Sequence, residues 1–288
     1  MMTNNTSYRK DINNDLLFSI RTILIALILT ASPTAQSEEL KEGGAHILAP
    51  VFQDSFDIPP PITPARNIRI WSTYYYTVRP VVRQNGVPFR DKDGKAISDN
   101  VSLSDWCIGA QEGSIKTTYK GKEVRLTHGG EFKKKPPYAV DCDIPFPGLG
   151  ISGYGFNYHK STDTPYGNGT NGWLLVPYRT MAAQTGNKET GLHPGDVIYV
   201  DKVRGKIIED PVTGKKIKHD GYFFIGDKGS PSRIKGYHVD TFCGFVKRCL
   251  PSFTLGSDKI PIWSEAQIIN DPIVIKKLTR MHLRTSYE

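Results

Sequence analysis

The chain has 288 residues, 38% hydrophobic and 23% charged, with four cysteines and a formal net charge of +8. This apolar content supports one packed, elaborated domain and excludes a disordered chain. The basic excess suits an anionic polymer or surface.

At the N-terminus, Arg9, Lys10 and Arg21 precede a short apolar run, Thr22–Thr30, followed by small residues through Ser37. A basic region, a short apolar core and a small-residue zone predict an export signal over 1–37, cleaved near Ala35 or Ser37. The run falls short of the about 20 apolar residues that span a bilayer, so no stable membrane insertion is expected after cleavage. No cysteine follows the run to carry a lipid anchor. Export places the basic chain in the periplasm or outside the cell, away from nucleic acid.

Residues 38–65 are polar and carry three consecutive prolines, Pro59–Pro61, which predicts a linker. A single domain is expected over 66–250 and a C-terminal extension over 251–288. Ile68–Val78 is a β-rich run that includes Tyr74, Tyr75 and Tyr76. Ser104 is positioned to cap a short helix through Trp106 to about Gln111. Residues 113–172 are rich in Gly, Pro, Tyr and Asn without a helical period, which predicts short strands and long loops. Asp196–Val203, Gly221–Gly226 and Tyr237–Phe242 read as strands. Ser264–Leu283 reads as a helix broken by Pro272.

Four cysteines in an exported chain predict disulfides. Of the three pairings, Cys107–Cys142 with Cys243–Cys249 is favoured, because both loops are short and bracket polar segments. Zinc would call for a tight Cys-x-x-Cys pair, which is absent. Gly148-Leu-Gly-Ile-Ser-Gly153 spells a dinucleotide fingerprint but follows Phe146-Pro147 and opens no helix. His219, Asp220, His238 and Asp240 lack a spaced metal motif, and no Gly-x-Ser-x-Gly elbow supports a serine nucleophile.

The stretch from His219 to Cys243 is the most informative. Two short apolar runs each deliver an aspartate, Asp227 after Tyr222–Gly226 and Asp240 after Tyr237–Val239. Paired carboxylates in a saccharide groove are the usual equipment for breaking a glycosidic bond. The segment Asp227-Lys-Gly-Ser-Pro-Ser-Arg-Ile-Lys-Gly-Tyr-His-Val-Asp240 resembles the signature of the 3D domain, found in membrane-bound lytic murein transglycosylase A and its relatives. Gly229, Ile234, Lys235, Gly236, Asp240 and Phe242 match it, with two extra residues in the turn. Val176-Pro-Tyr-Arg-Thr-Met-Ala-Ala-Gln184 and Leu192-His-Pro-Gly-Asp-Val-Ile-Tyr-Val200 resemble two further family segments in the right order. Gln184 stands where the family has the first of its three aspartates.

The resemblance implies a mainly β fold: a six-stranded double-psi β-barrel with long loop insertions and a C-terminal helical segment. It implies a lytic cleavage of peptidoglycan glycan strands with Asp240 as the acid/base and Asp227 as its partner. Arg179 and Lys235 would bind substrate carboxylates or fix the pair, and Tyr178, Tyr74, Trp71 and Trp173 would lie near the groove. Asp220 would supply a replacement carboxylate. No cofactor or metal is implied, and the chain is expected to act as a monomer. The rival readings are a non-catalytic glycan-binding module like barwin and expansin, and a structural envelope protein with a vestigial groove.

Overall fold

A computed structural model describes residues 54–62, 66–186, 188–210, 213–230 and 233–283. The expected export signal lies outside them. In chain order the elements are β1 (Arg66–Tyr75), β2 (Val82–Val87), α1 (Leu103–Glu112), β3 (Ser114–Tyr119), β4 (Lys122–Glu131) and β5 (Asn157–Ser161). There follow β6 (Thr180–Ala183), β7 (Val197–Tyr199), β8 (Ile207–Glu209), β9 (Lys216–Lys218), β10 (Tyr222–Lys228) and β11 (His238–Phe242). The chain continues with α2 (Pro251–Thr254), β12 (Trp263–Ile268) and α3 (Pro272–Met281).

Six strands close a barrel in the order β1-β11-β6-β10-β7-β12. The pairs β1/β11 and β6/β10 are parallel, and the remaining neighbours are antiparallel. Parallel neighbours cannot be joined by a tight hairpin, so the chain must cross over between them. Those crossovers carry the long insertions, and the mainly β, six-stranded barrel expected from the sequence is present. Ile70, Met181, Ile198, Phe223, Ile225, Val239 and Ala266 fill its interior together with Phe253 of α2. On the outer side of β10, Tyr222 and Phe224 pack with Leu278 of α3. Covering both faces explains why Tyr222–Gly226 is an unbroken apolar run rather than an alternating one.

The crossover between β1 and β6 carries a smaller lobe. There β3, β4 and β5 form an antiparallel sheet, and α1 packs on a core of Phe89, Val101, Trp106, Ile115 and Leu126. The helix cap is Ser102, whose Oγ accepts from Asp105 N–H, two residues before the expected Ser104. Gly113 ends α1 at φ 78°, a left-handed position that glycine adopts without strain, so Glu112 is the last helical residue.

Disulfides join Cys107 to Cys142 and Cys243 to Cys249, and no cysteine is free. The first spans 35 residues and ties α1 to the loop before β5. Serine at Cys107 and Cys142 together is expected to cost about 3–4 kcal/mol through the released loop entropy. An unchanged urea midpoint in that variant would show that the bond does not constrain the unfolded chain.

Two expected boundaries move. Part of the expected linker packs on the barrel: Asp54, Phe56 and Ile58 are buried and Tyr222 Oη donates to Pro59 O at 2.8 Å. The barrel also runs past residue 250, since β12 lies between β1 and β7. The single helix expected over Ser264–Leu283 is a strand followed by α3, which starts at Pro272 with the Asp271 side chain as its cap. Ser264 and Ala266 turn inward along β12, so barrel closure overrides the helical preference of Glu265, Ala266 and Gln267.

Candidate active site

The barrel wall aligns four side chains across four adjacent strands. Thr73 of β1 pairs with Asp240 of β11, Asp240 with Ala182 of β6, and Ala182 with Asp227 of β10. Ile70 of β1, Met181 and Val239 point into the barrel, so by strand alternation Thr73, Ala182 and Asp240 point outward. Asp227 would follow Phe223 and Ile225 inward if β10 were regular. A bulge at Gly226 shifts the register between Ile225 and Asp227 and turns Asp227 to the outer face. Ala182 then separates the two carboxylates with only a methyl group, and the strands that carry them stand about 10 Å apart, two strand spacings.

This row forms one side of a groove of about 780 Å³. The small lobe forms the other, through Glu112 at the end of α1, His128 and Glu131 of β4, and Tyr154. Tyr74 and Tyr75 of β1 line it from the barrel.

Asp240 is gripped on one side. Thr73 Oγ1 donates to its Oδ1, and His238 Nε2 lies 3.2 Å from the same oxygen. Thr73 Oγ1 and His238 Nε2 are 2.8 Å apart. The His238 ring is buried, stacks on Trp71 at 3.8 Å, and donates from Nδ1 to Arg233 O at 3.1 Å. The Asp240 carboxylate is thus fixed in rotation, with Oδ2 free of these contacts.

Asp227 accepts from Lys228 N–H at 2.8 Å. Burial, with a smaller contribution from the charge of Asp240, pushes its carboxyl up to about 6, against the hydrogen bonds that lower it. The adjacent Tyr75 phenol is raised by burial and by both aspartates. Glu112 accepts from Tyr76 N–H at 3.0 Å and is pushed up to about 8, mainly by desolvation. In the groove Glu112 therefore keeps its proton at neutral pH, as a hydrogen-bond donor requires, while Asp227 gives its proton up on the acid side.

The shift on Asp227 has a consequence for stability. Its pKa is higher folded than unfolded, so between about 4 and about 6 the unfolded chain releases its proton first. Stability from this site is therefore lost as pH rises through that window. The variant Asp227→Asn should melt above the wild type at pH 7 and much closer to it at pH 4. A Tm difference independent of pH would show that Asp227 titrates normally.

Several expected site residues lie elsewhere. Arg179 is fully buried, away from the groove, in a cluster that ties the barrel to residues 54–58. Its Nη1 and Nη2 donate to the Asp220 oxygens at 2.5 and 2.7 Å, and its Nε donates to Asp54. Asp220, 3% exposed, is consumed by this pair and by Ile58 N–H. Tyr178 is buried and donates to Glu209 O at 3.0 Å. These three side chains lie in the turns just before β6 and β10, and their hydrogen bonds and ion pairs tie those turns to the rest of the barrel. Lys235 is exposed and does not line the groove. Of the expected substrate-binding residues, Tyr74 remains on its wall. Sequence reasoning missed Thr73, Ala182 and Glu112, and weighed His238 as a metal ligand. His238 was legible as a neighbour of Asp240, because residues two apart on a strand share a face. Among the described residues no cluster of His, Cys, Asp and Glu has the arrangement to hold a metal.

Fold and site together define a mainly β, closed-barrel protein with an acidic groove on its outer wall. No family model and no curated protein matches the chain. It is similar to solved structures of lytic transglycosylases. MltA from E. coli with bound chitohexaose is 13% identical, with a TM-score of 0.42 over 69% of this chain and 71% of that one. The membrane-bound lytic murein transglycosylase from Agrobacterium tumefaciens is 13% identical, with a TM-score of 0.41 over 73% and 76%. The lytic transglycosylase LtgG of Burkholderia pseudomallei is 15% identical, with a TM-score of 0.32 over 70% and 71%.

Proposed function

We propose that this protein cleaves the glycan strands of peptidoglycan as a lytic transglycosylase, with Asp240 as the single acid/base. The observation that carries the reading is the alignment of Asp240 and Asp227 on either side of Ala182, facing a groove of about 780 Å³. The resemblance of Asp227–Asp240 to the 3D signature supports the same assignment.

Asp240, entering with its proton, gives it to the glycosidic oxygen as the bond to C1 breaks. The C6 hydroxyl of the same sugar then attacks C1, and its proton passes to the Asp240 carboxylate. An anhydro ring closes, the acid is regenerated, and neither water nor a protein nucleophile is consumed. Thr73 holds the carboxylate in line for both transfers, with the His238 ring packed beside it. The two disulfides and the basic charge suit an extracytoplasmic site of action.

Incubating the protein with purified sacculi and weighing the released fragments tests this. Anhydro-ended fragments are expected. Fragments heavier by one water would make the enzyme a hydrolase, and binding without release would make it a barwin-like module.

A further inference from the structure

Glu112 has no part in the steps above, yet it stands in the groove on the wall opposite the aspartates. Its placement is costly if it is charged. It closes α1 at the end where the helix dipole is negative, and no ion pair to it occurs among the described residues. Tyr76 N–H donates to Oε2, which assigns that oxygen the acceptor role and leaves Oε1 to carry the proton. We infer that Glu112 is a glycan-binding residue whose neutral carboxylic acid donates a hydrogen bond to an uncharged sugar oxygen, such as an acetamido carbonyl. This rests on the glycan reading of the groove.

The groove's other ionisable groups leave a clear window for the test. From β10 and β11 come Asp227 and Asp240 with His238, and from β4 come His128 and Glu131. Tyr74, Tyr75, Tyr154, Lys228, Arg233 and Asp258 complete the set, with Tyr76 and Asp105 behind. Asp227, with its midpoint of about 6, is ionised above pH 7. Desolvation holds His128 below its ordinary range, and burial holds Tyr75, Tyr76 and Tyr154 above theirs. Glu112, at about 8, is the group shifted into the interval from pH 7 to 9.

The experiment is calorimetric binding of chitohexaose, a neutral amino-sugar oligomer, to the full chain at pH 7, 8 and 9. Binding should weaken about 10-fold from pH 7 to pH 9, the change set by one required proton with a midpoint near 8. Glu112→Gln, whose amide donates at every pH, should bind with similar affinity at pH 7 and show no change to pH 9. Glu112→Leu should bind weakly and equally at both. Tm values at each pH separate these outcomes from unfolding. If the variants do not fold, carbon NMR of labelled glutamate in the wild type replaces them, with saturating chitohexaose expected to raise the Glu112 midpoint. Wild-type affinity that is flat with pH, or a Gln variant that keeps the decline, overturns the role of Glu112 alone. Absence of binding at every pH overturns the glycan reading of the groove and this inference with it.

Discussion

Replacing Asp240 by asparagine is expected to lower the release of anhydro-ended fragments by about 10²–10⁴-fold, the loss that follows removal of a general acid–base group. The change is close to isosteric. The amide oxygen can still accept from Thr73 Oγ1, so the wall of the groove should keep its shape. An amide can neither give a proton to the glycosidic oxygen nor take one from the C6 hydroxyl, so both halves of the reaction are blocked at once. Chitohexaose affinity and Tm should stay near wild type, which separates lost chemistry from lost structure. Release at the wild-type rate by a folded Asp240→Asn protein would assign the acid to another carboxyl.

Replacing Arg179 by methionine should have the largest effect on stability. The guanidinium is fully buried, with its charge answered by Asp54 and Asp220 and with Phe56 packed on its face at 3.9 Å. Methionine fills much of the volume but leaves two buried carboxylates without a counter-ion. Breaking a buried ion pair from one side costs about 3–5 kcal/mol. For a domain of this size that lowers Tm by roughly 10 °C. Adding Asp54→Asn removes one of the uncompensated charges, so the double variant should melt above the single one. The same pair of measurements distinguishes the buried cluster from a groove role. Weakened chitohexaose binding at unchanged Tm would place Arg179 on the substrate.

Arg179 also shows where a family pattern stops being informative. Its place in Val176–Gln184 was legible, and the resemblance implied that it binds substrate carboxylates or fixes the aspartate pair. Burial is a property of the barrel interior and of residues 54–58 folding back on it, and neither is written into nine consecutive residues. The prolines at 59–61 hid that return, because a Pro-rich polar stretch reads as linker whether or not its flanks reach a core. Glu112 was silent for a similar reason. A glutamate ending an amphipathic helix is ordinary until an inserted lobe is seen to aim it across a groove.

By itself the sequence determined what local chemistry decides. Apolar runs bounded by turn residues marked β1, β10 and β11, a serine-led segment marked α1, and the aspartates at 227 and 240 came from residue type and spacing. Loop length favoured the cysteine pairs that the structure joins. Only the tertiary structure decided which strand closes the barrel and which way each carboxylate faces. β12 is a strand because the gap between β1 and β7 must be filled, whatever its helical propensity. Asp227 faces Asp240 because one bulge at Gly226 reverses the alternation of β10. A slip of one residue inverts every later side chain of a strand, and the pairing that fixes it lies on β6, some forty positions away in the chain.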